Sequence, residues 1–143
     1  MRRLITLMVL ALASIEAASA AGRLEVTGAW IRTAPPGAMM LAGYATLRNT
    51  GDAPLTVIGA DSEAFGDVSL HESIEIDGVA RMNALGSIEI AAGASVVLAP
   101  GGKHLMLMRP KGEPKSGGSI KIHIAAKPGE GTTANFVVRD TAP

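Results

Sequence analysis

The sequence predicts an all-β domain, an antiparallel sandwich or barrel, on three observations. Short segments alternate polar and apolar side chains, as half-buried strands do. Clusters of Gly, Pro, Asn and Asp separate those segments at regular spacing. Beyond an apolar run at the N-terminus, no long stretch keeps the 3.6-residue period of an amphipathic helix.

The first strand is expected at Arg23–Thr27, where Leu24 and Val26 alternate with charged and polar neighbours. Leu41–Arg48, Leu55–Ile58, Val68–His71, Ile74–Ile76 and Val79–Met82 follow, then Ser87–Ile90, Ser95–Leu98, His104–Met108, Ser119–Ala125 and Asn135–Arg139. Between them stand Pro35-Pro36-Gly37, Asn49-Thr50-Gly51-Asp52, Asp77-Gly78, Pro100-Gly101-Gly102 and Lys115-Ser116-Gly117-Gly118, all turn-forming. The polar stretch from Pro110 to Gly118 reads as a solvated connection.

The N-terminus reads differently from the rest. Arg2 and Arg3 precede an apolar run from Leu4 to Ala13, and Ala18-Ser19-Ala20 has the small-x-small pattern of a signal-peptidase site. Residues 1–20 are therefore expected to be a cleaved signal peptide, and residues 21–143 one exported, periplasmic domain of a size that supports a single core. Glu16, an acidic residue close to the site, allows the cut to shift by a residue. Removing Arg2, Arg3 and Glu16 from 13 basic and 13 acidic residues leaves 11 and 12, a nearly neutral chain. Nothing in that balance steers toward nucleic acid or anionic lipid. One Trp, one Tyr and two Phe offer few stacking platforms. The cysteine count is zero, so disulfides, thiolate metal sites and a lipid-bearing cysteine are all absent from these residues.

Two of the three histidines fall in one pattern: His71, ten residues, Met82, twenty-one residues, then His104-Leu105-Met106. If Asp77-Gly78 makes a two-residue hairpin turn, Ile76 faces Val79 and Ser73 faces Met82, which makes His71 a diagonal neighbour of Met82 on one face. A three-residue turn would put the two on opposite faces. His104 and Met106, two residues apart on one strand, point the same way while Leu105 points into the core. Two imidazoles and two thioethers form a ligand set suited to Cu(I), whereas Zn(II) calls for thiolates, carboxylates or more histidines. The candidate metal ligands are thus His71, Met82, His104 and Met106, in a shallow site near the surface. Met108, Met39 and Met40 are assigned to packing, the last two in partly exposed positions after the Pro-Pro-Gly turn, His123 to solvent, and Glu72 to the face opposite His71.

The spacing resembles, residue for residue, that of the periplasmic PCu(A)C copper chaperones. Ala29-Trp30-Ile31-Arg32 before Pro35-Pro36-Gly37, Gly43-Tyr44 leading to Asn49, and Pro100-Gly101-Gly102 before His104 add to the likeness, which covers nearly all of residues 21–143. The resemblance implies a cupredoxin-like fold and Cu(I) held by His71, Met82, His104 and Met106. It also implies copper delivery toward the CuA centre of cytochrome c oxidase, with subunit II or its assembly factors as partners. Two departures stand out. Ser73 occupies the place where many members carry a Met, and the C-terminus, Val138-Arg139-Asp140-Thr141-Ala142-Pro143, has no His- and Met-rich tail.

Other functions are less well supported by the residues. A blue-copper electron carrier needs a cysteine ligand. No Ser, His or Asp sits in a recognisable hydrolase motif, so the chain is read as a binding protein and not an enzyme. The alternatives are a metal-free immunoglobulin-like adhesion or assembly module and a copper-sequestering tolerance protein.

Overall fold

The computed structural model describes residues 21–143; the expected signal peptide lies outside the described residues. These residues form ten strands and no helix: β1 (Leu24–Arg32), β2 (Met40–Asn49), β3 (Leu55–Asp61), β4 (Phe65–Ile76), β5 (Val79–Ala84), β6 (Ile88–Ile90), β7 (Ser95–Leu98), β8 (Lys103–Pro110), β9 (Ser119–Lys127) and β10 (Thr132–Arg139). The strands run in the order β5-β4-β8-β2-β1-β10-β9-β3-β6, with β7 added on β2. Every pairing is antiparallel except β1 with β10.

Alternation of apolar residues drives this arrangement. On β9, Ile122, Ile124 and Ala126 are buried, and on β10, Phe136 and Val138. The sheet folds over so that these side chains meet Leu41, Leu105 and Leu107 from the other half in one core. Gly43 shows how close the halves come: a Cβ there would lie 3.4 Å from Leu105 Cβ and 3.7 Å from Phe136 Cε1.

Two local departures from the expected elements have identifiable causes. Val68–His71 and Ile74–Ile76 belong to one strand, β4, because both β5 and β8 pair along it. β1 continues past Thr27 to Arg32 through an irregularity between Thr27 and Trp30, where Gly28 takes a positive φ of 59°. β2 is long enough to serve two partners, β8 along Met40–Gly43 and β7 along Ala45–Arg48.

Asn49 closes the end of β2 and is fully buried. Its amide donates to the carbonyls of Ala53 (2.7 Å) and Ile90 (3.0 Å), and its Oδ1 accepts from the backbone N–H groups of Arg23 and Gly51. With both donor and acceptor capacities used, the polar group costs little to bury and ties β2, β6 and the N-terminal segment together.

Candidate metal centre

The Asp77-Gly78 turn has positive φ at both central residues, 51° and 76°, as a type I′ hairpin requires. The register is the one that turn dictates: Ile76 opposite Val79, Glu75 opposite Ala80, Ile74 opposite Arg81, Ser73 opposite Met82. His71 therefore shares a face with Met82. On the other side of β4, His71 stands directly opposite His104 of β8, and Ser69 opposite Met106. The two imidazole centroids are 6.1 Å apart.

All four residues lie on the face of the sheet that points away from the core. Leu105, between His104 and Met106, is fully buried on the inner face. His104 breaks the alternation, since it is only 6% exposed although it points outward. Trp30 and Tyr44 explain this. They pair across β1 and β2 with ring centroids 4.7 Å apart, and both are buried without belonging to the main core. The outer face thus carries a small buried patch of its own. Arg32 lies over the Trp30 ring at 5.7 Å from its centroid. Burial raises the Tyr44 phenol above its ordinary value, with the Arg32 guanidinium partly opposing, so Tyr44 is neutral at neutral pH.

The two imidazoles are held in complementary ways. His104 Nδ1 lies 3.0 Å from the Gly102 carbonyl oxygen. A carbonyl only accepts, so Nδ1 carries the proton and Nε2 of the neutral ring keeps its lone pair. His71 Nε2 lies 3.0 Å from Ser69 Oγ, while its Nδ1 is buried with no hydrogen-bond partner among the described residues. A buried N–H without an acceptor is rarer and costlier than a buried lone pair. The favoured tautomer therefore has Nε2–H donating to Ser69, with a bare lone pair at Nδ1. Each ring offers one free nitrogen and has the other anchored, the arrangement that metal-ligating histidines show.

Met82, His104 and Met106 line one hollow of about 210 Å³, together with Arg32, Ala42 and Met40. On a flat sheet Met82 and Met40 would stand three strands and six residues apart, roughly 25 Å. Sharing a hollow requires the β4–β5 ribbon to curl over the outer face. His71 does not line this hollow; it stands behind it, against His104. Met40 corrects the packing assignment: it is 49% exposed, and Met39 is more exposed still. Met108, facing Met40 across β2 and β8, is half-buried and so is not core filler. Among the described residues no group of three or more His, Cys, Asp or Glu side chains gathers to hold a metal. Glu72 points away from His71 and pairs with Lys103 at 3.0 Å. A soft ion is thus the one this donor set suits.

Sequence reading missed Met40, Ser69 and the Trp30–Tyr44 patch. Parity placed each on a face, but only the long-range pairing of β1, β2, β4 and β8 shows that these faces coincide.

The fold is the cupredoxin-like fold of PCuAC domains. The chain superposes on the copper-bound PCuAC domain from PmoF2 with a TM-score of 0.69 at 21% identity, over 84% of this chain and 95% of that one. It matches the solution structure of CuI-DR1885 from Deinococcus radiodurans with a TM-score of 0.68 at 28% identity, over 90% and 86% of the two chains. The apo-DR1885 solution structure matches with a TM-score of 0.63 at 26% identity, over 99% and 97%. Residues 24–138 match the family described as "Putative lipoprotein LpqE-like", and the chain belongs to that family. It is 33% identical over 117 residues to "Putative lipoprotein Lxx21020" of Leifsonia xyli subsp. xyli, covering 81% of this chain and 69% of that protein. The 143 residues themselves contain no cysteine.

Proposed function

We propose that this chain is an exported Cu(I) carrier that binds the ion on His71, Met82, His104 and Met106 and passes it to a partner with stronger donors. The observation that carries the reading is the state of the two imidazoles, each anchored at one nitrogen and free at the other, beside thioethers and, among the described residues, no hard-ligand cluster. The two rings lie side by side across β4 and β8, with centroids 6.1 Å apart. The likeness to CuI-DR1885 supports the same choice of metal.

All four donors are neutral, so the ion keeps its charge and is held moderately. Release is an exchange of ligands, with no change of oxidation state. As a partner's thiolate forms a bond to copper, a thioether bond breaks, and the free Met stays in the protein. Met82, half exposed on the edge strand β5, is the thioether most open to an entering thiolate. The CuA centre of cytochrome c oxidase subunit II, or an assembly factor serving it, is the acceptor we favour. The periplasm is the compartment in which this exchange takes place, with residues 1–20 acting as the export signal.

A competition titration with a chromogenic Cu(I) chelator tests the site. Met82→Leu and His104→Ala are each expected to weaken Cu(I) binding by about a hundredfold. Undiminished affinity in both would refute the ligand set. Cu(I) should also raise the melting temperature of the wild-type chain, since a ligand bound only by the native state stabilises it. A wild-type chain with neither affinity nor thermal shift would favour the metal-free assembly module.

A further inference from the structure

The hollow holds one more sulfur than the proposed ligand set uses. Met40, Met82 and Met106 all line it, with His104 as its imidazole. Met40 lies opposite Met108 and is therefore the diagonal neighbour of Met106 across β2 and β8, within reach of a long, flexible side chain. Its backbone position is fixed, because the Met39 carbonyl accepts the Arg109 N–H at 2.8 Å where β2 begins. The residue is nonetheless as exposed as Met82, 49% against 50%. Burial does not account for an unbranched apolar side chain left half in water at the lip of a hollow lined by donors. On the opposite flank, Ser73 shares the His71 face and offers no sulfur.

Resting on the reading of the site given above, we infer that Met40 is an exchangeable third thioether ligand. The ion can leave His71, which stands behind the hollow, and move to Met40 while staying bound to His104, Met82 and Met106. One Cu–N bond breaks and one Cu–S bond forms; copper remains Cu(I), and the freed His71 nitrogen keeps its lone pair. This step carries the ion from the buried side of the site to its open side, where an acceptor's donors enter. Met40 is thus a binding residue of the departing ion, used in the exchange and spare in the resting complex.

The test is a double-mutant cycle in Cu(I) affinity, read by chelator competition on the wild-type chain, Met40→Leu, His71→Ala and the double variant. Met40→Leu alone should change affinity by less than about threefold and His71→Ala by about tenfold, while the double variant should lose about a thousandfold, far more than the product of the two. A double variant no weaker than His71→Ala would overturn the inference. A second measurement follows the methionine methyl resonances of the His71→Ala protein as Cu(I) is added. Met40, Met82 and Met106 should shift together, with Met39, which lies outside the hollow, unmoved. A stationary Met40 methyl beside shifted Met82 and Met106 would also overturn it. If the wild-type chain itself binds no Cu(I), the reading of the site fails and the exchange role fails with it, an outcome distinct from an idle Met40 in a copper-binding protein.

Discussion

The two faces of β2 and β8 obey different rules. On the inner face, Leu41, Leu105 and Leu107 pack against Phe136 and Ile122, and the buried polar side chain there, Asn49, is fully hydrogen-bonded at the end of β2. On the outer face, burial stops at Trp30, Tyr44 and His104, and the methionines around them stay partly in water. One strand serves both, because successive side chains point to opposite sides. Within His104-Leu105-Met106, the outer two residues are the proposed ligands and the middle one is core. Stability and the proposed copper site would thereby lie on opposite sides of the same backbone, so a change to one need not damage the other.

The largest effect that would test this separation belongs to Leu105. It is fully buried between Leu70 of β4 and Gly43 of β2. Leu105→Ala should destabilise the fold by about 3–5 kcal/mol, the usual range for a cavity at a well-packed site. Urea unfolding gives that number directly. Under conditions where the variant remains folded, its Cu(I) affinity should stay within a few-fold of wild type. A folded Leu105→Ala protein that binds copper a hundredfold more weakly would mean that the core sets the site's geometry, and the two faces would not be separable.

Ser69 gives a smaller and sharper test, on the outer face alone. Its hydroxyl holds His71 Nε2, and its backbone stands opposite Met106. Ser69→Ala removes that anchor, so His71 is expected to rotate and Cu(I) affinity to fall by about tenfold, as when the outer partner of a ligating histidine is lost. The melting temperature of the metal-free protein should barely move. Ser69→Thr, which keeps the hydroxyl, should restore affinity. Loss of stability without loss of affinity would make Ser69 a packing residue.

How much of this was legible in the sequence depended on how local each feature is. The β4–β5 register followed from Asp77-Gly78 alone, because a two-residue turn with positive φ at both positions leaves one pairing. The shared face of His104 and Met106 followed from the period of two. The meeting of His71 and His104 did not, since it depends on β4 pairing with β8 across 33 positions of chain. Trp30 was hidden for a different reason. The irregularity at Gly28 shifts the register of β1, so alternation read from Arg23–Thr27 ends before it. Met40 was assigned to packing because a methionine after a turn is usually filler. Only the ribbon curling over the outer face reveals that it borders the same hollow as Met82.

The smallest expected effect concerns Glu72 and Lys103, the pair immediately beside the two histidines. They face each other across β4 and β8, one residue along from His71 opposite His104, and so project on the other side of the sheet. Their ion pair spans 3.0 Å, but both side chains are about a third exposed, 31% and 37%, and solvent screening discounts it. Lys103→Met should therefore cost less than about 1 kcal/mol in stability. Its effect on Cu(I) affinity should be under about twofold, because a charge on the far face acts through a partly solvated path. Proximity in sequence makes Glu72 look like a candidate ligand or base, yet alternation of the strand removes it from the site. Affinity that changed tenfold or more in Lys103→Met would place that charge pair in electrostatic contact with the ion, and the division of the sheet into a structural side and a copper side would no longer hold at this end.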